Sequence, residues 1–270
     1  MLEVLLDALI DTLKLIPFLF LSFLIMELIE HKLNNKKRLN KINKFGPLAG
    51  STLGIIPQCG FSALASNLYA ARVITLGTLI SIYLSTSDEM LPIMLSHGTN
   101  INIILKILFY KFILGLFFGI LIDILYRKKA KTEITHLCEE DHCHCEEGIL
   151  KSSIVHTLKI ALFILIINII LNAIIDEKLI INFVDSNKIL TPIITSIFGL
   201  VPNCASSVII TELYLNGIIN FGSCLSGLLA GSGVGLLVLF KQNKNIKENI
   251  LILILLVFIA SICGIIFNIV

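Results

Sequence analysis

The chain has 270 residues, of which 56% are hydrophobic and 15% charged, with a formal charge of +2 and a mean hydropathy of +0.93. Soluble domains are about half apolar and about a quarter charged, so this balance excludes an ordinary soluble protein and marks a membrane protein. The small charge excess sits as lysine in short loops beside apolar runs and gives no case for a nucleic-acid partner.

A membrane-spanning helix needs about 20 apolar residues. Such runs cover approximately 5 to 29, 74 to 95, 102 to 125, 152 to 175, 217 to 240 and 249 to 270. The first is led by Glu3, Asp7 and Asp11, where a signal peptide would be basic, so it is expected to stay as a span. Residues 31 to 44 carry Lys32, Lys36, Lys37, Arg38, Lys41 and Lys44 without an acid, which places that loop in the cytoplasm and the N-terminus outside. Arg127, Lys128, Lys129 and Lys131 mark a second cytoplasmic loop, and Lys241, Lys244 and Lys247 a third.

Two spans between the first and second of these loops already carry the chain out and back. The segment 46 to 72 therefore starts and finishes on one side, as two half-length helices of about 46 to 56 and 60 to 71, each roughly 17 Å long at about 1.5 Å per residue. Pro57-Gln58-Cys59-Gly60 breaks them, with Pro57 and Gly60 as helix-breaking residues. The same count puts 191 to 215 in a second hairpin, broken at Pro202-Asn203-Cys204.

Slid along itself by 145 residues, the chain matches itself without a gap. Pro47 falls on Pro192, Gly54 on Gly199, Pro57 on Pro202, Cys59 on Cys204, Ser62 on Ser207, Leu68-Tyr69 on Leu213-Tyr214, Gly77 on Gly222, Ser81 on Ser226, Ser87 on Ser232 and Gly119 on Gly264. The expected fold is an all-α polytopic membrane protein of two repeats, residues 1–127 and 151–270, joined by a cytoplasmic linker at 128–150. Each repeat holds three full spans plus a re-entrant hairpin, countable as five spans, or ten in all. An odd number of full spans inverts one repeat relative to the other, brings the two hairpin tips toward the midplane and leaves both termini outside.

The tips carry the first candidate residues, because non-helical backbone at membrane depth survives only where protein or a water-filled cavity satisfies it. Gln58, Cys59 and Ser62 in one tip and Asn203, Cys204 and Ser207 in the other offer a thiol, a carboxamide and a hydroxyl each. Ser85-Thr86-Ser87-Asp88-Glu89 lies well inside the 74 to 95 run, and acids at membrane depth usually line a pathway. The other repeat reads Ala230-Gly231-Ser232-Gly233-Val234, keeping Ser232, losing both acids and gaining the helix-loosening Gly231 and Gly233. Glu212 in the second hairpin is a further acid on the expected path. Lys14 and Lys159 pair in the repeat and are explained by snorkelling or as counter-ions.

The linker gathers His136, Cys138, His142, Cys143, His144 and Cys145 among acids. Imidazole and thiol groups at this density suit zinc, copper or another borderline-to-soft ion, although the spacing matches no closed zinc finger. The linker is expected to be flexible and metal-catching.

With the paired Pro-x-Cys hairpins, Ser85 to Asp88, and the stretches Gly54 to Tyr69 and Gly199 to Tyr214, the chain resembles, over essentially all its length, the ten-span heavy-metal exporters. These are the proteins grouped as arsenic efflux or manganese transporters, distantly akin to organoarsenical permeases. The resemblance implies a secondary transporter of a prokaryotic cytoplasmic membrane rather than an enzyme. It would require no cofactor, carry a metal or metalloid ion and use protons as a candidate coupling ion; its oligomeric state stays open. Arsenical cargo would favour the thiols of Cys59 and Cys204, and manganese the oxygens of Asp88, Ser87 and Asn203. Two alternatives stay open: a transmembrane thiol–disulfide shuttle through Cys59 and Cys204, and a permease for a small sulfur-containing anion. The sequence has no Gly-rich Lys-Ser/Thr phosphate loop for ATP-driven export.

Overall fold

The computed structural model describes residues 45–56, 59–87, 90–126 and 190–269, with scattered helical positions between 9 and 24 and between 154 and 169; of Cys59 and Cys204 only the backbone is described. Pro57, Gln58, Asp88, Glu89, Lys14, Lys159 and the whole linker with its six histidines and cysteines lie outside the described residues.

All regular structure among the described residues is helical: α1 (Gly46–Gly54), α2 (Cys59–Ala70), α3 (Leu76–Ser85), α4 (Met90–Ser96), α5 (Ile101–Tyr126), α6 (Thr191–Gly199), α7 (Cys204–Leu215), α8 (Phe221–Ala230), α9 (Gly235–Gln242) and α10 (Ile246–Ile269). Adding 145 to the bounds of α1, α2 and α3 reproduces those of α6, α7 and α8, and the starts of α4 and α5 map onto those of α9 and α10. The short helices α1, α2, α6 and α7 lie within the segments 46 to 72 and 191 to 215. Gly60 lies in the first turn of α2.

The run 74 to 95 differs from expectation. It is two helices, α3 and α4, interrupted after Ser85. Pro92 is the third residue of α4, a first-turn position where its missing N–H is needed by no helical bond. In one continuous helix it would delete a bond and clash with the preceding turn, so a break just upstream is the physical outcome. Repeat 2 has Leu237 there and reaches the same break through Gly231, which caps α8, and Gly233, whose φ of 53° favours glycine.

Three small-residue contacts explain which repeat matches matter. The Ser81 hydroxyl donates to the carbonyl of Pro47 at 2.6 Å, and its repeat partner Ser226 to that of Pro192 at 2.7 Å. A Cβ on Gly119 would sit 2.7 Å from Ser81 Cβ and 2.8 Å from the Gly77 carbonyl; on Gly264 it would sit 2.5 Å from Ser226 Cβ and 2.8 Å from the Gly222 carbonyl. Each trio α1–α3–α5 and α6–α8–α10 is thus closed at near-backbone distance, the way helices pack where lipid is as apolar as leucine.

Within a trio the long helix runs against the broken one, since Gly119 faces Gly77 while Gly115 faces Ser85. Across the repeats α5 and α8 run in the same sense: the Lys106 ammonium lies 4.7 Å above the Phe221 ring and Lys111 reaches the carbonyl of Leu228, seven residues further on.

Among the described residues, three segments are long and apolar enough to cross a membrane: α5, α8–α9 taken together, and α10. The α8–α9 segment is 83% buried, against 28% for α5 and 39% for α10, so the broken segment is central and the long helices flank it. On α5, Ile101, Leu105, Phe109, Ile113, Phe117, Ile120 and Ile124 form an outward stripe at three- and four-residue spacing, while Ile104, Ile107, Lys111, Gly115, Gly119 and Ile122 face in. An exposed apolar stripe of this length is what a bilayer covers.

Candidate functional site

Each hairpin is shared between the repeats. Its first arm lies along the broken segment of its own repeat, α1 beside α3 and α6 beside α8; its second arm packs on the far half of the other repeat's broken segment, α2 on α9 and α7 on α4. The start of α2 therefore meets the break of repeat 2, and a Cβ on Gly235 would come within 2.8 Å of Ser62 Cβ. Ser66, one turn further, ties the junction together: its hydroxyl is 2.6 Å from the Ser62 carbonyl, 2.7 Å from the Gly235 carbonyl and 2.7 Å from the Tyr83 hydroxyl of α3.

Among the residues expected on the path, Ser62, Asn203 and Ser207 are buried at or beside the hairpin tips. Pro202 lies in the bend before α7, and the Asn203 side chain turns back to accept from the Ala205 amide at 3.4 Å, so the carboxamide caps α7. Ser85 and Ser87 are also committed. The first hydroxyl donates back to the carbonyls of Ser81 at 2.6 Å and Ile82 at 3.2 Å; the second crosses to the Ile55 carbonyl at 2.6 Å, at the end of the first hairpin arm. Ser232, the repeat partner of Ser87, is 1% exposed and its hydroxyl has no partner. A buried orphan hydroxyl is costly unless something completes it.

Glu212 stands apart from this cluster. It lies eight residues into α7, roughly 12 Å along the helix from the tip at about 1.5 Å per residue. Its carboxylate faces His97 at 3.5 Å, with both side chains nearly half exposed.

Two polar features escaped the sequence reading. Lys111 is fully buried in the middle of α5 and donates to the carbonyl of Leu228 in the last turn of α8. Its signal was in plain view, a lysine in the middle of an apolar run that carries Lys106 five residues before it. The second feature joins the turn after α2 to the start of α10. Arg72 forms a two-pronged pair with Glu248 at 2.8 and 2.7 Å, Tyr69 donates to the same carboxylate, and Asn243 donates to it at 3.3 Å. Glu248 holds Arg72 even more firmly in its charged form than an exposed arginine.

The family described as "Putative, 10TM heavy-metal exporter" matches residues 1–179 and 152–270, together the whole chain. No curated protein and no solved structure matches it.

Proposed function

The chain belongs to the family of ten-span heavy-metal exporters, and on that premise we propose that it is a secondary transporter exporting a metal or metalloid ion by alternating access between two inverted repeats. The observation that carries this is the interleaving of hairpins and broken segments: the start of α2 sits on the break before α9, α7 sits on α4, and the orphan hydroxyl of Ser232 lies in the break. Inversion is supported by helix direction. α3 runs against α5 and α5 runs with α8, so α3 and its repeat counterpart α8 point in opposite senses. A pair of inverted repeats can exchange conformations and so open the same site to either side.

The orientation that follows from the basic loops puts Arg72, Glu248 and the neighbouring Lys247 at the cytoplasmic end, and His97 with Glu212 at the other. Ser87, tied to Ile55, links the tip of the first hairpin to the break in its own repeat, so hairpin movement would be transmitted to the segment that carries Asp88. In this proposal Asp88 binds the cation or a proton, Glu89 supports it, and Gln58, Cys59, Ser62, Cys204 and Ser207 supply the tips. The linker histidines and cysteines collect the ion on the cytoplasmic side before export.

The test is tolerance and accumulation in a host lacking its own exporters, challenged in turn with manganese, zinc and arsenite. Expression of the wild-type chain is expected to lower cell content of one of these ions, and Asp88→Asn to abolish that effect at equal membrane abundance. Undiminished export by Asp88→Asn would remove Asp88 from the ion path.

A further inference from the structure

The breaks after α3 and after α8 are built from matching parts but held by different partners. In the first repeat the Ser87 hydroxyl donates to the Ile55 carbonyl at 2.6 Å, which ties the break to the hairpin of its own repeat. The counterparts, 145 residues on, are Ser232 and Leu200, and the Ser232 hydroxyl is buried with no partner. The second break is tied instead by the hairpin of the other repeat: the Ser66 hydroxyl of α2 reaches the Gly235 carbonyl, just past the break, at 2.7 Å. The counterparts of that pair are Thr211 and Met90, and the Thr211 hydroxyl is spent within α7 on the Ser207 carbonyl at 2.7 Å. Of four equivalent contacts two are made, one at each break and each from the first hairpin.

The acceptor side of the missing Ser232 contact is in place. Ile55 and Leu200 close α1 and α6 with nearly the same backbone, φ −64° and ψ −27° in one, φ −69° and ψ −15° in the other. Ser81 and Ser226 fasten the two arms to their broken segments through equivalent bonds of 2.6 and 2.7 Å. The difference lies on the serine side. Thr86 precedes Ser87 at ψ 126° and is fixed by its own hydroxyl, which donates to the Ile82 carbonyl at 2.7 Å. Gly231 precedes Ser232 at ψ 90° and has no side chain to fix it, and a Cβ there would meet nothing closer than 3.5 Å. With Gly233 on its other side, Ser232 stands between two glycines that permit either backbone and impose neither. A buried hydroxyl without a partner is less stable than a paired one, so Ser232 has a bond to gain by turning.

We infer that the two breaks exchange hairpins during transport: Ser232 turns on its glycines to donate to the Leu200 carbonyl as Ser66 lets go of Gly235, while Ser87 leaves Ile55 and Thr211 takes the carbonyl of Met90. This rests on the transport function proposed above and names the contacts that change in it. Repeats of one backbone can adopt each other's contacts. Two hydrogen bonds break and two form, which keeps the states close in energy, as a protein that populates both requires. The breaks move together because each hairpin reaches both of them, α1 and α2 packing on α3 and α9, α6 and α7 on α8 and α4.

The experiment uses the full-length protein, for thermal midpoints in detergent and for initial rates in proteoliposomes with Mn(II), Zn(II) and As(III) as separate probes. Ser87→Ala removes a bond that the structure makes and is expected to lower the midpoint. Ser232→Ala removes a hydroxyl that the structure leaves unused and is expected to leave the midpoint unchanged or to raise it. In transport, Ser232→Ala is expected to lower Vmax at least tenfold with KM within about threefold of wild type, the pattern of a group used only on the way between states. Transport by Ser232→Ala within about twofold of wild type would overturn the exchange. So would a midpoint lowered as far as in Ser87→Ala, the mark of a hydroxyl already spent, or a KM raised at least tenfold at unchanged Vmax, the mark of an ion ligand. Each of these leaves the transporter standing. Failure of wild type to move any of the probes would overturn both.

Discussion

The turn that closes α2 in the first repeat and the turn that closes α7 in the second have the same backbone. In one, the Val73 amide reaches the Leu68 carbonyl at 2.8 Å and the Arg72 amide that of Tyr69 at 2.9 Å; in the other, Ile218 reaches Leu213 at 2.9 Å and Gly217 reaches Tyr214 at 3.0 Å. Both are Schellman closures with a left-handed residue, Arg72 at φ 59° and Gly217 at φ 73°. Glycine takes that conformation freely, whereas an L side chain gives up about 1–2 kcal/mol there. The first repeat accepts this cost because Arg72 from that position clasps Glu248 across the repeat interface. In the second repeat, Gly217 and Ile103, the counterpart of Glu248, can form no such pair. The duplicated fold thus carries a strong clasp at one end and, at the other, the half-exposed contact of His97 with Glu212. Copies that share a backbone have been made different by single side chains, and the differences concentrate where the repeats meet.

The largest effects should fall on what the repeats share. Gly119→Ala and Gly264→Ala each force a methyl against serine and glycine backbone in a three-helix contact, and each should cost about 2–3 kcal/mol, read as a lowered thermal midpoint in detergent and less monodisperse protein. Tolerance of one and not the other would break the equivalence of the two trios. A smaller effect should separate the two turns. Arg72→Ala removes the clasp yet keeps a Cβ in the left-handed region, and should lower stability by about 1–2 kcal/mol. Arg72→Gly removes the same clasp and relieves the backbone, so it should be milder than alanine by about 1 kcal/mol. An alanine variant no worse than glycine would show that Arg72 bears no conformational cost. Smallest of all, His97→Ala should change the thermal midpoint by less than about 0.5 kcal/mol in equivalent stability; a larger loss would mean that the outer contact is a clasp as well.

Much of the architecture was legible from residue spacing. The offset of 145, first seen in prolines, glycines and serines, maps the bounds of α1, α2 and α3 onto those of α6, α7 and α8. Breakers act locally, so Pro202 and Gly231 announce their bends in the sequence. Pro92 announced one too, but the apolar run around it hid the message: hydropathy measures burial, and both halves of a broken segment are buried. The candidate hydroxyls were harder. Ser87 and Ser232 are indistinguishable by type and spacing, yet one is bonded to Ile55 and the other has no partner. Nothing within a few residues of either decides that.

The sequence by itself determined the membrane class, the duplication, the family and the positions of the half-length hairpin arms, because composition, periodicity and helix breakers act over a few turns of chain. Tertiary structure alone decided which polar groups are spent and on what. Lys111 finds Leu228 across 117 residues and Arg72 finds Glu248 across 176, pairings that no local pattern encodes. They exist because two copies of one unit pack against each other, and a buried charge takes whatever partner that packing brings within reach.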